Sequence, residues 1–140
     1  MITQIIGRLV EKTPTQVVVD CNGVGYAVHI SLNTYSQIGD QEKIKLFTHM
    51  QVREDSHTLF GFHSPVERSV FLLLISVSGI GASTARTMLS SLQPQQIRDA
   101  ILSEDLNTIK SIKGIGLKTA QRVLIELKDM GSNSKQEISL

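Results

Sequence analysis

The chain has 140 residues, 41% of them apolar, with 14 Lys and Arg against 13 Asp and Glu, a net charge of +1. That is enough apolar material for one domain or two small ones, and the balanced charge excludes a strong single-sign field as the basis of function. The longest apolar run, VFLLLI at 70–75, is too short to span a bilayer, and a single cysteine, Cys21, excludes an internal disulfide and a CxxC-type zinc site.

The N-terminal stretch MITQIIGRLVEK has no positive patch, no apolar segment of signal-peptide length and no small-residue cleavage site, so a cytoplasmic location is expected. Strands then follow in order: IIGRLVEK, TQVVVDC, GYAVHISL, KIKLFTHMQV and HTLFGF, each rich in Val, Ile, Thr or aromatic residues. Turn-forming segments separate them, namely TPT, NGVG, NTYSQIGDQE with room for a short helix around 33–38, and REDS. Five short strands over residues 1–63 predict a small OB-fold-like β-barrel, with a sandwich fragment as the alternative. The fold class is therefore α+β, because the pattern changes after Ser64-Pro65 to short helical runs over 64–130. These are VERSVFLLLISV, ASTARTMLSSL, PQQIRDAILS, EDLNTIKSI and LKTAQRVLIELKDM, broken by Gly, Pro or Ser. The polar end, 131–140, reads as a flexible linker or tail.

Charge is not evenly spread. Residues 1–62 hold five Lys and Arg against six Asp and Glu, whereas 63–130 hold eight against six. The helical half is mildly basic, which points to local anion sites.

A repeat lies within that half. A shift of 35 residues places Gly79-Ile80-Gly81 on Gly114-Ile115-Gly116, Phe71 on Leu106, Leu74 on Ile109, Val77 on Ile112, Thr84 on Thr119, Ala85 on Ala120 and Leu89 on Leu124. The unit is an apolar helix, a Gly-Ile-Gly turn and a second helix, with a small residue four places after the second glycine. Glycine allows the tight turn a positive φ, the central isoleucine pins the turn to the core, and the alanine lets the helices approach. The free N–H groups at the start of the second helix then attract an anion. Such a helix-hairpin-helix holds a DNA backbone phosphate without reading a base. Nucleotide-binding loops fit worse. A P-loop needs Gly directly before Lys, where Leu117 intervenes, and a dinucleotide fingerprint needs a third glycine where Thr84 or Thr119 stands; neither turn follows a strand.

The candidate DNA contacts are thus Gly79, Gly81, Ser83, Thr84 and Arg86 in the first copy, and Gly114, Gly116, Lys118, Thr119 and Arg122 in the second. Lys118 and Arg122, four apart on one helix face, can flank a phosphate and make the second site the more strongly charged. Lys113 is a further candidate or simply solvated charge. His29, His49, His57 and His63 lack metal-ligand spacing, and neither catalysis nor a cofactor is indicated.

Taken together, IIGRLVEK, GVGY at 23–26, FTHMQVREDSHTLFGF at 47–62 and the two helical hairpins ending in KGIGLKTAQRVLIELKD resemble the RuvA family over residues 1–130. The resemblance implies a non-catalytic subunit that binds four-way (Holliday) junction DNA as a homotetramer or octamer, in recombination and repair. It implies a RuvB motor ATPase as partner, through a third domain expected to be missing here, and a RuvC resolvase as a further one. Glu54 and Asp55 match the family's acidic pin, which keeps phosphates from the junction's centre. Ser83 departs from the lysine usual in the family's first hairpin, which shifts weight to backbone N–H groups and Arg86. A general helix-hairpin-helix duplex-binding repair module, a single-strand binder and a nucleotide-dependent enzyme stay open as rivals.

Overall fold

Alternating apolar and polar residues, the signature of strands with one face on a core, decide the first sixty residues. In the computed structural model, β1 (Gln4–Lys12) pairs antiparallel with β2 (Gln16–Cys21), β2 with β3 (Val24–His29), and β4 (Lys43–Arg53) with β5 (Ser56–Phe62). β1 also pairs with β4, and a parallel bridge from His29 to Phe60 joins β3 to β5. The order β1-β2-β3-β5-β4 therefore closes on itself, and the barrel expectation prevails over the sandwich. The structure describes the backbone of residues 1–139 and the side chains of residues 1–128.

Inside the barrel, Val17 and Val19 of β2, Val28 of β3, Ile44 and Leu46 of β4 and Ile5 of β1 are buried with Ile30 and Ile38. The β2–β3 loop is the two-residue Asn22-Gly23, both at positive φ (54° and 93°), and Asp20 Oδ1 accepts a 2.7 Å hydrogen bond from the Gly23 amide. Such a loop matches the right-handed twist of the strands it joins. Closure brings β1 against β2 so tightly that a Cβ at Gly7 would lie 2.4 Å from the Asp20 carbonyl oxygen. The third strand ends earlier than GYAVHISL suggests. Ser31 turns its hydroxyl to accept from the Thr34 amide, capping α1 (Leu32–Ile38) in the interval where a short helix is expected.

Helices follow: α2 (Pro65–Ile75), α3 (Ala82–Ser91), α4 (Pro94–Leu102), α5 (Leu106–Lys110) and α6 (Leu117–Ser139). Pro65 and Pro94 open their helices, where the absent N–H costs nothing. Gln93 and Gln96 cap α4 reciprocally, and Asp105 caps α5 through the Thr108 amide. The sequence expectation of a flexible tail over 131–140 falls on residues whose side chains, and at Leu140 the backbone too, lie outside the described residues.

The chain divides into two units, Met1–Arg68 and Ser69–Leu140. The division falls a few residues after the change from strand to helix pattern, for a physical reason. Glu67 of α2 is buried in the first unit, where its carboxylate accepts from the Ser31 hydroxyl at 3.0 Å, the Asn33 amide and the Thr34 hydroxyl. Arg68 donates from Nε to the Thr48 carbonyl at 2.7 Å. The first turn of α2 is thus fastened to the barrel by polar contacts.

Candidate nucleic-acid interface

Both Gly-Ile-Gly turns form the same backbone loop. The Ile80 amide donates to the Val77 carbonyl at 3.1 Å, and the Ile115 amide to the Ile112 carbonyl at 3.0 Å. Gly79 and Gly114 each take φ 90°, a conformation that L side chains rarely adopt. Ile80 and Ile115 are buried at 4% and 7% exposure, and Ala85 and Ala120 are fully buried, so pin and close approach fall where the repeat places them.

The outer side of each turn is built differently. Gly79, Gly81, Gly114 and Gly116 are all exposed. Gly81 is the N-cap of α3 with an ordinary extended backbone (φ −88°, ψ 176°), and no side chain caps the helix. The first intrahelical bond is donated by Ala85 to Gly81, and by Ala120 to Gly116, both at 3.0 Å. The amides before them, of Ala82, Ser83 and Thr84 and of Leu117, Lys118 and Thr119, belong to the orphan first turn of a helix.

A Cβ added at Gly81 or Gly116 would meet no atom within 4 Å. Neither backbone strain nor internal packing asks for glycine at these two positions. Both copies nevertheless leave the helix start bare, with open space where a side chain would stand and the partial positive charge of the helix behind it. An anion can approach these amides closely, and the bare backbone suits it.

The surrounding side chains separate into two groups. Ser83, Lys118 and Lys113 are exposed, whereas Thr84 and Thr119 are half-buried. Arg86 is half-buried too, and burial pulls its guanidinium below the usual arginine range. Arg122, grouped with Lys118 by spacing, is turned elsewhere: its Nη1 donates to the Ser78 carbonyl at 3.2 Å, beside the first turn, and its Nε lies 3.9 Å from Glu126 Oε2. Glu126 Oε1 in turn accepts from the Ser78 amide at 3.2 Å. Sequence reasoning missed Ser78 and Glu126. The four-residue interval from Arg122 to Glu126 is a readable helix-face signal, but nothing local points to Ser78.

In the first unit, Glu54 and Asp55 form the two-residue tip between β4 and β5, with Arg53 opposite Ser56 in the ladder. Both are exposed, as are Val52, Arg53, Ser56 and His57 around them, and neither joins an ion pair among the described residues. An uncompensated pair of negative charges at the end of a hairpin repels phosphate. Among the described residues, no group of His, Cys, Asp and Glu gathers that could hold a metal ion, and no helix is long and apolar enough to cross a membrane.

Known proteins carry the same two parts in the same order. Residues 1–61 match the family described as RuvA N terminal domain, and residues 71–129 the SAM-like helix-hairpin-helix tandem. A protein of Christiangramia forsetii named Holliday junction branch migration complex subunit RuvA is 60% identical over 129 residues, 92% of this chain and 67% of that protein. Its namesake in Flavobacterium psychrophilum is 61% identical with the same coverage, and that of Cytophaga hutchinsonii is 51% identical over all of this chain and 74% of its own length. With the barrel closed, both hairpins formed and relatives this similar over nearly every residue, the chain belongs to the RuvA family.

Proposed function

We propose that this chain is a non-catalytic DNA-binding subunit that recognises four-way junctions by their structure. Gly81, Ser83 and Thr84 with Arg86, and Gly116, Lys118 and Thr119, bind backbone phosphates, mainly through amides at the starts of α3 and α6. Four copies hold the junction open and planar, and Glu54 and Asp55 keep phosphates out of the crossover. A separate motor subunit hydrolyses ATP and drives branch migration. The single observation that carries this reading is the pair of exposed glycine helix starts with open space where a side chain would stand, in a chain whose relatives are named for the Holliday junction. Phosphate contacts fix position without base identity, so recognition rests on the arrangement of arms and not on sequence.

The test is a gel-shift titration of a synthetic four-way junction against a linear duplex of the same sequence, with mass in solution measured for both complexes. The junction is expected to bind at least tenfold more tightly and as a complex containing four chains. Equal affinity for both DNAs would instead make the chain a general helix-hairpin-helix duplex binder.

A further inference from the structure

Ser78, the residue before the first Gly-Ile-Gly turn, has both halves of its backbone gripped by the helix of the second hairpin. Its amide donates to Glu126 Oε1 and its carbonyl accepts from Arg122 Nη1, both at 3.2 Å, across sequence separations of 48 and 44 residues. The two gripping side chains lie four residues apart on α6, with Arg122 Nε 3.9 Å from Glu126 Oε2. Arg122 also covers Gly79, since Nη1 lies 3.0 Å from where a Cβ there would be.

The grip runs in one direction only. Shifted back by the repeat interval of 35 residues, Arg122 falls on Thr87 and Glu126 on Ser91, while Ser78 falls forward on Lys113. α3 therefore has no matching pair with which to hold the second turn. The first turn also has the weaker side-chain charge, with Ser83 where the second has Lys118. It depends on backbone amides, and amides are useful to an anion only when held in place.

We infer that Glu126 is a positioning residue for DNA binding: with Arg122 it fixes the Ser78 peptide, and so the direction in which the first turn presents its amides. The inference rests on the phosphate-binding reading above and adds a role for an acidic side chain on a helix that would otherwise only repel DNA. Simple charge counting says that removing Glu126 tightens binding. Positioning says the opposite.

The experiment uses the full chain and the synthetic junction. Glu126→Ala is expected to weaken junction binding about tenfold, because the ordering of the turn that this charge-assisted hydrogen bond supplies beforehand must then come out of binding, with the salt slope unchanged because no cation leaves the DNA. Glu126→Gln keeps an acceptor for the Ser78 amide and is expected to stay within about threefold of wild type, the scale of a neutral hydrogen bond. Amide exchange at 78–81 should quicken in the alanine variant without DNA, while the melting temperature falls by no more than a few degrees. The loss should vanish in a Gly81→Ser background, whose first site is already blocked, and persist in Gly116→Ser. Tighter binding by Glu126→Ala, or an equal loss in both backgrounds, overturns the positioning role. If Gly81→Ser alone leaves binding intact, the phosphate reading of the first turn fails first and carries the positioning role with it.

Discussion

Replacing Gly81 or Gly116 by serine separates what the fold needs from what the ligand needs. Serine is at least as good an N-cap as glycine, by a few tenths of a kcal/mol, and it lowers the entropy of the unfolded chain by about 0.4–1 kcal/mol. Both sites accept it sterically, since no atom lies within 4 Å of the new Cβ and neither φ is left-handed. The variants are expected to melt at or slightly above the wild-type temperature. Binding should go the other way. On the phosphate reading, a serine hydroxyl at the cap accepts a hydrogen bond from one of the orphan amides and its Cβ intrudes on the space the anion would use. Losing one hydrogen bond to a charged group costs about 1.5–3 kcal/mol, or roughly 10- to 100-fold in affinity. Thermal melts followed by circular dichroism, and junction titrations at fixed salt, measure the two halves. Gly79→Ala and Gly114→Ala are the contrast: at φ 90° each strains its turn, costs about 1–2 kcal/mol of stability, and lowers the melting temperature. Serine variants that melt normally and bind like wild type would refute the assignment of these amides to phosphate.

Other outcomes follow from the same contacts. Lys118→Ala should weaken binding to junctions of any sequence and lower the log–log salt slope by about one unit; an unchanged slope would place Lys118 away from phosphate. Converting Glu54 and Asp55 to Gln and Asn should leave junction affinity unchanged or up to roughly fivefold tighter at low salt, as befits exposed charges, while changing the rate of motor-driven branch migration. Marked weakening would contradict a repulsive pin. Burial raises the Glu67 carboxyl above its usual 4.5, outweighing the hydrogen bonds from Thr34, Asn33 and Ser31 that favour the charged form. The folded chain therefore holds this proton more tightly than the unfolded chain, so Glu67 costs stability as pH rises from about 4.5 through its folded value. Melts across pH 4–8 should show that decline in wild type and a flatter profile in Glu67→Gln. Glu67→Ala, which strands the donors of Asn33, Ser31 and Thr34, should lose about 1–3 kcal/mol at every pH.

What could be read from the sequence is what short-range rules govern. Alternation placed the strands because each barrel strand has one wet face, and the strand-to-helix change at Ser64-Pro65 was visible because periodicity and proline are local. The repeat located both turns because glycine at φ 90° and an inward isoleucine are needed wherever that loop is made. Charge was harder. Arg122 shares a helix face with Lys118 but equally with Glu126, and spacing alone cannot choose between them. The choice is made by Ser78, whose backbone comes within reach only after α6 has packed through Ala120, Val123, Leu124 and Leu127. Glu67 shows the same limit. As a first-turn acid it reads as an ordinary favourable charge at a helix start, yet its three side-chain partners come from residues 31–34 and bury it. In both cases a charged side chain ties a turn or helix end to residues more than thirty positions away. The glycines are set by local backbone rules that the repeat reveals, whereas the long-range polar contacts at Ser78 and Glu67 are invisible to periodicity.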